Sequence, residues 1–290
     1  MIVRLRVAGL TLAARAERPC RALRLPAPTR AFAVDRGADI RLAVSEAAPP
    51  APGERLFESG GLWRVHRRGA RLLYLFHAPL PGAEVERALE MDARWREGRL
   101  FLPSAHWGER PGFALGYPLD ELLFQHRLAH DGALEMHGCA LAVKGRAVLF
   151  CGASGAGKTT TARLWRRLRP GTGVLSDDRV VVRGAAGGFR AHGTPWHGSG
   201  RYAQPAALAL AAVFFIQHAA KSAAVPLPLA EAAGEVFARS FPPPWDARVT
   251  ATVLETSARL AAGVPCFRLG FTPDASAVEA VERALRAPRR

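Results

Sequence analysis

Three stretches of this 290-residue chain carry residue types and spacings suited to chemistry. The first is Gly152-Ala-Ser-Gly-Ala-Gly-Lys-Thr159, where four residues separate Gly152 from Gly157-Lys158-Thr159. This is the phosphate-loop, or Walker A, pattern. Its glycines let the backbone curl so that consecutive N–H groups converge on phosphate oxygens. The Lys158 ammonium reaches the outer phosphates, and the Thr159 hydroxyl ligates Mg²⁺. Gly152, Ala153, Ser154, Gly155, Ala156, Gly157, Lys158, Thr159 and Thr160 are therefore expected to bind ATP phosphates at the positive end of the next helix. The second stretch is Ser176-Asp177-Asp178-Arg179. Two carboxylates at a strand end, downstream of a phosphate loop, suit a nucleotide–Mg²⁺ site. One can hold the metal, directly or through water. The other can take a proton from an attacking hydroxyl. The residues alone leave open which does which, and a solvated Asp-Asp turn is the plainer alternative. The third is Gly193-Thr-Pro-Trp-His-Gly-Ser-Gly200, read as an active-site loop because Trp196 and His197 need something to contact. His197 is the catalytic candidate there.

Elements of the right kind surround these residues. Ala147–Cys151 is an apolar run of buried-strand length, and Thr160–Leu168 reads as a helix, so the loop has the strand–loop–helix setting that the motif requires. Ala133–Val143 reads as a strand entering through Lys144-Gly145-Arg146, and Val180–Arg183 as the strand after the Asp pair. Ala206–His218 reads as a buried strand, followed by helices over Leu229–Phe241 and Thr250–Ala262, a strand over Val264–Leu269, and a helix over Ala275–Leu285 capped by Asp274. The Ala287–Arg290 tail is expected to fray.

Residues 1–103 read as β-rich. Ile2–Val7 alternates, so it is a strand and not a targeting peptide. Thr29–Val34, Ile40–Val44 and Arg99–Leu102 are further strands, Leu62–His66 and Leu72–Phe76 a hairpin, and Val85–Trp95 a short helix or irregular strand. His66 and His77 are isolated and read as structural. Residues 104–131 read as a bridge containing a helix over Pro118–His130. His126 and His130 share one face of it at a legal metal spacing, without the glutamate of a metalloprotease helix.

Composition narrows the function. The net charge of +15 is compatible with an anionic nucleotide or an acidic peptide. The arginines are scattered and form no nucleic-acid module, so nucleic acid is not the expected partner. Only Lys144, Lys158 and Lys221 are lysines, so a lysine at the phosphate position, where a compact point charge suits, stands out against the arginine background. Cys20, Cys139, Cys151 and Cys266 have no metal-ligand spacing and read as reduced, which points to the cytoplasm. No apolar run reaches membrane-spanning length.

The succession His137-Gly138, apolar strand, Gly145, apolar strand, Gly152–Thr159 and Leu175-Ser-Asp-Asp178 resembles the HPr kinase/phosphorylase superfamily, whose fold is related to the phosphoenolpyruvate carboxykinases. The resemblance covers roughly residues 134–200. The Gly193-Thr-Pro-Trp-His-Gly198 loop is similar to the HPr-kinase-related proteins of peptide-modification clusters, some of which phosphorylate lasso-peptide precursors. The resemblance implies that His137 faces the reacting phosphate, that Asp177 accepts the hydroxyl proton, and that Asp178 lies with Thr159 on the metal side. The family's glutamate is missing from Arg190-Ala191-His192-Gly193, which argues against HPr as acceptor and against reverse phosphorolysis.

The expectation is an α/β chain with a β-rich domain over 1–103 and a P-loop kinase domain of HPr-kinase/carboxykinase type over 104–290. It would be an ATP- and Mg²⁺-dependent phosphotransferase, a serine-kinase-like enzyme acting on Ser or Thr of a small protein or precursor peptide. It would be cytoplasmic, possess no membrane partner, and be capable of homo-oligomerisation. The alternatives are a non-catalytic nucleotide-binding module and a kinase of a small metabolite.

Overall fold

In the computed structural model, the alternation at the N-terminus forms strand β1 (Ile2–Val7), which turns at Ala8 and Gly9, both with positive φ, into β2 (Leu10–Ala16). The structure describes residues 1–17, 20–77, 84–103, 107 and 113–287. The tail beyond Ala287 and most of 104–112 therefore lie outside the described residues. The chain divides into two compact units, Met1–Arg127 and Leu128–Arg290. Residues 113–127, assigned to the second domain in the sequence reading, belong to the first unit.

In the first unit, β1 and β2 are followed by the short helix α1 (Ala27–Arg30) and strands β3 (Ile40–Ser45), β4 (Glu54–Glu58), β5 (Trp63–Arg68), β6 (Arg71–His77), β7 (Val85–Asp92) and β8 (Glu97–Phe101). Among the described residues they form one eight-stranded sheet in the order β1-β2-β3-β8-β7-β6-β5-β4. The expected strand over Thr29–Val34 is instead α1 and a turn, with one isolated bridge from Ala33 to Leu5. Pro26 and Pro28 start that helical turn, where fixed φ and missing N–H groups are tolerated. The ambiguous stretch from Val85 is a strand. It ends where the Asp92 carboxylate accepts the amides of Arg94, Arg96 and Glu97.

One face of this sheet is buried through Leu5, Leu12, Ile40, Tyr74, Leu89 and Leu100. Helix α2 (Leu119–His130) supplies His126 to that core. His126 Nδ1 lies 2.7 Å from the Leu122 carbonyl, which can only accept, so Nδ1 carries the proton and Nε2 accepts from the Tyr74 hydroxyl at 3.1 Å. The ring stacks on Trp95 at 4.1 Å. His126 is thus a satisfied core residue and not a metal ligand. His66, also buried, bonds to the Gly53 carbonyl.

The second unit comprises β9 (Leu134–Val143), β10 (Arg146–Cys151), α3 (Lys158–Leu168), β11 (Gly173–Ser176), β12 (Arg179–Ala185), β13 (Gly188–His192), β14 (Ala207–His218), β15 (Ala223–Pro226), α4 (Leu229–Ala238), α5 (Ala247–Gly263), β16 (Cys266–Phe271) and α6 (Ala275–Arg286). Its sheet, eight-stranded among the described residues, runs β10-β9-β12-β13-β14-β16-β15, with β11 on β9 and a further β10–β14 pairing. Strands β10, β14 and β16 are parallel neighbours. Apolar side chains of α3 and α6 pack with Phe150 and Phe214 on one face, and those of α4 and α5 with Leu149 and Val213 on the other. Burying a side chain of this size contributes about 1.5–3 kcal/mol. The register that brings the ends of β10 and β14 together is therefore strongly determined. Asp246 and Asp274 cap α5 and α6, accepting the amides of Arg248 and Val249 and of Ser276 respectively.

The architecture is mixed α/β, with two large sheets. No helix among the described residues is long and apolar enough to cross a membrane. All four cysteines are free and buried. Burial raises the thiols of Cys151 and Cys266 to about 12, so neither is a thiolate nucleophile.

Candidate active site

Strand β10 is buried from Ala147 to Cys151 and delivers the chain to the loop at Gly152. A Cβ at Gly152 would lie 2.8 Å from that of Ala156, so the first glycine is required by the tightness of the curl. Gly157 has φ +108°, and a Cβ there would meet the Phe271 ring at 3.0 Å. Helix α3 then starts, the Thr161 amide donating to the Gly157 carbonyl at 2.7 Å.

Lys158 is 7% exposed. Its Nζ donates to the Gly152 and Ala153 carbonyls, both at 2.9 Å, and it makes no ion pair among the described residues. Burial lowers its pKa from the ordinary lysine value, and nearby Asp178 opposes that shift. A buried ammonium held only by neutral carbonyls is a cation placed for an anion.

The two aspartates are in different situations. Asp177 is 1% exposed. Its Oδ1 accepts the amides of Gly198 at 3.0 Å and Tyr202 at 3.3 Å; its Oδ2 accepts the Gly200 amide at 2.7 Å and the Thr159 hydroxyl at 3.3 Å. Four donors on two oxygens leave this carboxylate largely occupied. Asp178 stays partly open, its side chain 30% exposed. His137 Nε2 lies 3.1 Å from one of its oxygens, and Arg179 Nη1 lies 2.9 Å from the other. Burial pushes the Asp178 carboxyl up, but the His137 hydrogen bond, Arg179 and Lys158 together outweigh this and hold it below the usual carboxylate range.

Strand pairing sets these neighbours. β9 pairs with β10 through Gly138 and Cys151 and with β12 through His137 and Arg179. His137 therefore stands between the loop strand and the Asp pair. The Gly138 amide donates to the Asp178 carbonyl at 3.0 Å, and the His137 amide to the Arg239 carbonyl at 2.8 Å.

The structure brings His137, Lys158, Thr159, Asp177 and Asp178 to one place. The loop residues Ala153, Ser154, Gly155 and Ala156 lie between β10 and α3, and Thr160 lies in the first turn of α3. His197 participates differently. Its ring bonds to the Gly198 carbonyl at 3.0 Å, while the amide of Gly198 holds Asp177. The loop from Gly193 to Tyr202 thus contributes main-chain donors to the site, and Thr194 ties it to β12 through a 2.6 Å bond to the Arg179 carbonyl.

The sequence reading missed several residues here. Arg179 stacks on Phe241 at 4.4 Å while binding Asp178, and its Nε lies 3.6 Å from Glu135. Arg179 directly follows the Asp pair and could have been read from that position. Phe241, distant in sequence, could not. His218, at the end of β14, lies 3.3 Å from the Gly155 carbonyl; the parallel β10–β14 pairing that brings it there has no local signature.

A family model described as ScmC, SynChlorMet cassette protein ScmC, matches residues 121–286, more than half of the chain and every candidate site residue above. Comparison with curated proteins finds no match.

Proposed function

This chain belongs to the family of SynChlorMet cassette protein ScmC, and from its site we propose that it is an ATP- and Mg²⁺-dependent kinase that phosphorylates a hydroxyl, on Ser or Thr of a small protein or peptide. The observation that carries this reading is the shielded Lys158 ammonium, bonded only to loop carbonyls, next to Thr159 on Asp177 and to the His137–Asp178 pair. A P-loop kinase fold of HPr-kinase type is part of the same proposal.

The donors fit a phosphate-bound Mg²⁺. Thr159 offers a hydroxyl, and Asp177 offers a carboxylate oxygen 3.3 Å from it. Among the described residues no group of three or more His, Cys, Asp or Glu could hold a metal unaided. That suits Mg²⁺, which at nucleotide sites takes one or two carboxylates and completes its shell with phosphates and water. Bound there, it neutralises charge on the phosphates.

The protein's own groups then divide the work. The loop amides and Lys158 hold the phosphates and offset charge on the transferred group. Asp177 fixes the Thr159 hydroxyl. Asp178, the partly exposed carboxylate, takes the acceptor proton as the hydroxyl oxygen bonds to the γ-phosphorus and the bridging P–O bond breaks to release ADP. His137 orients Asp178. This assignment reverses the roles that the family resemblance implies for the two aspartates, because Asp177 has its oxygens occupied by four donors.

The test is phosphate transfer from γ-labelled ATP to a mixture of Ser/Thr peptides, alongside nucleotide-induced thermal shift. Transfer that is lost in Asp178→Asn with the shift retained supports the reading. No thermal shift with ATP and Mg²⁺, or an Asp178→Asn variant as fast as wild type, rejects it.

A further inference from the structure

The groups assigned to the transferred phosphate lie on one side of the phosphate loop. There β10 is flanked by β9, which carries His137. Asp177 and Asp178 join β11 to β12, and both of those strands pair with β9. The Thr159 hydroxyl meets Asp177 on the same side. On its other side β10 has β14, and beyond β14 lies β16. These three strands are parallel. Ligands in such sheets sit beyond the carboxyl ends of the strands. A triphosphate whose outer phosphate faces Asp178 and His137 therefore runs along the loop toward β14, and its nucleoside emerges over the ends of β14 and β16.

Those ends carry side chains tied to the loop. Phe215 pairs with Cys151, so β14 continues through His218 alongside the loop. His218 is exposed, and its Nε2 lies 3.3 Å from the Gly155 carbonyl, which can only accept, so Nε2 carries the proton. At the other end of the same peptide plane, the Ala156 amide donates to the Ala153 carbonyl at 3.1 Å. His218 and Ala153 thus pin that plane from both ends, and a fixed plane fixes the aim of the neighbouring loop amides. Past His218 the chain crosses the end of β16. The Ala219 amide donates to the Phe271 carbonyl at 3.4 Å, and the Thr272 amide to the Ser222 hydroxyl at 3.0 Å. Phe271 in turn backs the loop, its ring 3.0 Å from where a Cβ on Gly157 would stand. Residues 218–222 and Thr272 therefore form a shelf joined to the loop at Gly155 and at Gly157. The shelf also carries Lys221, one of the chain's three lysines, exposed and with no ion pair among the described residues.

We propose that this shelf receives the nucleoside half of the nucleotide, and that His218 both pins the phosphate loop through Nε2 and presents the rest of its ring to the nucleoside. A flat imidazole suits stacking against a base, and the hydroxyls of Ser222 and Thr272 suit those of a ribose. The inference rests on the nucleotide reading of the site and adds to it the place of the nucleoside. It also makes the donor a nucleoside triphosphate and not an inorganic polyphosphate, because part of the binding falls outside the phosphates. Stacking tolerates any base, so the shelf holds a nucleoside without selecting strictly among bases.

The experiment titrates the full chain, with Mg²⁺ present, against ATP and against inorganic tripolyphosphate by calorimetry. Tripolyphosphate reaches the loop but not the shelf. His218→Ala is expected to weaken ATP about tenfold and tripolyphosphate about threefold, since one lost hydrogen bond or contact is worth a factor of about two to ten. His218→Gln keeps a donor for the Gly155 carbonyl, so it should restore tripolyphosphate binding and leave ATP weakened about threefold. Position is read separately, by irradiating bound 8-azido-ATP and locating the adduct by peptide fragmentation. The adduct is expected within 218–222 or 272–276. Equal losses for the two ligands in His218→Ala confine this residue to the loop and overturn the proposal. So does wild-type affinity for ATP in that variant, or an adduct confined to the side of His137 and Phe241. A wild-type chain that binds neither ligand rejects the nucleotide reading and the shelf with it; ATP binding with the adduct elsewhere rejects the shelf alone.

Discussion

The two sheets use their surfaces in opposite ways. In the second unit, β10 and β14 are buried on both faces over most of their length, between α3 and α6 on one side and α4 and α5 on the other. No face remains for a ligand, so chemistry moves to the strand ends, where backbone amides and carbonyls are exposed by the turn into a loop. In the first unit, the strands β1, β2, β3 and β8 alternate. One face carries Leu5, Leu12, Leu42 and Leu100, the other Arg4, Arg15, Arg41 and Arg99. There the available surface is the face itself. A doubly covered sheet favours a preorganised, narrow site made of main chain. A half-covered one leaves a broad surface of long side chains.

Substitutions can break or sharpen this contrast. The largest expected effect is at the strand ends of the second unit. Asp178→Asn should lower kcat by about 10²–10⁴ with little change in ATP affinity, as removal of a proton acceptor does; steady-state kinetics with ATP and peptide varied would show it. Lys158→Met should cost about 10²–10³ in kcat/KM, close to the loss of one charge-stabilising donor. Gly200→Ala comes next. A Cβ there would lie 2.6 Å from Asp177 Oδ2 and from the Tyr202 ring, so a loss of about 1–3 kcal/mol in stability is expected from denaturant unfolding.

Smaller still is a pH effect. Burial, then Arg183 and Arg190, lower His192 from 6.5 to about 4. The unfolded chain takes up this proton first, so the contribution is complete above about pH 6.5 and is lost as pH falls through about 4. His192→Gln should flatten that part of the stability–pH curve. The smallest effect belongs to the exposed sheet face. Arg41 and Glu97 are each more than half exposed, and Glu97→Gln should change stability by no more than about 1 kcal/mol. A large loss there would show that the first unit depends on its open face for folding, and the contrast would fail.

Much of the second unit was legible because its signals are local. The apolar run at Ala147, the glycine spacing after it and the Asp274 cap each lie within a few residues, and each sits where the sequence suggested. The strand pairings, which decide what meets what, were not legible. Only the β9–β12 register puts His137 opposite Arg179 and beside Asp178. Nothing local announces that Phe241 stacks on Arg179. In the first unit, Ile2–Val7 and the β5–β6 hairpin were readable from alternation, but β4 (Glu54–Glu58) was not, since it lies beyond a proline-rich loop and shows little apolar alternation.

The carboxylate of Asp177 is a hub with four spokes. Three of them run to the amides of one loop and the fourth to Thr159. The far rim of that loop is pinned to α3, where Arg166 grips both the hydroxyl and the ring of Tyr202. If an incoming cation draws away the Thr159 hydroxyl, one spoke is cut and three hold. The wheel keeps its shape, so this loop is built as fixed masonry and not hung as a gate.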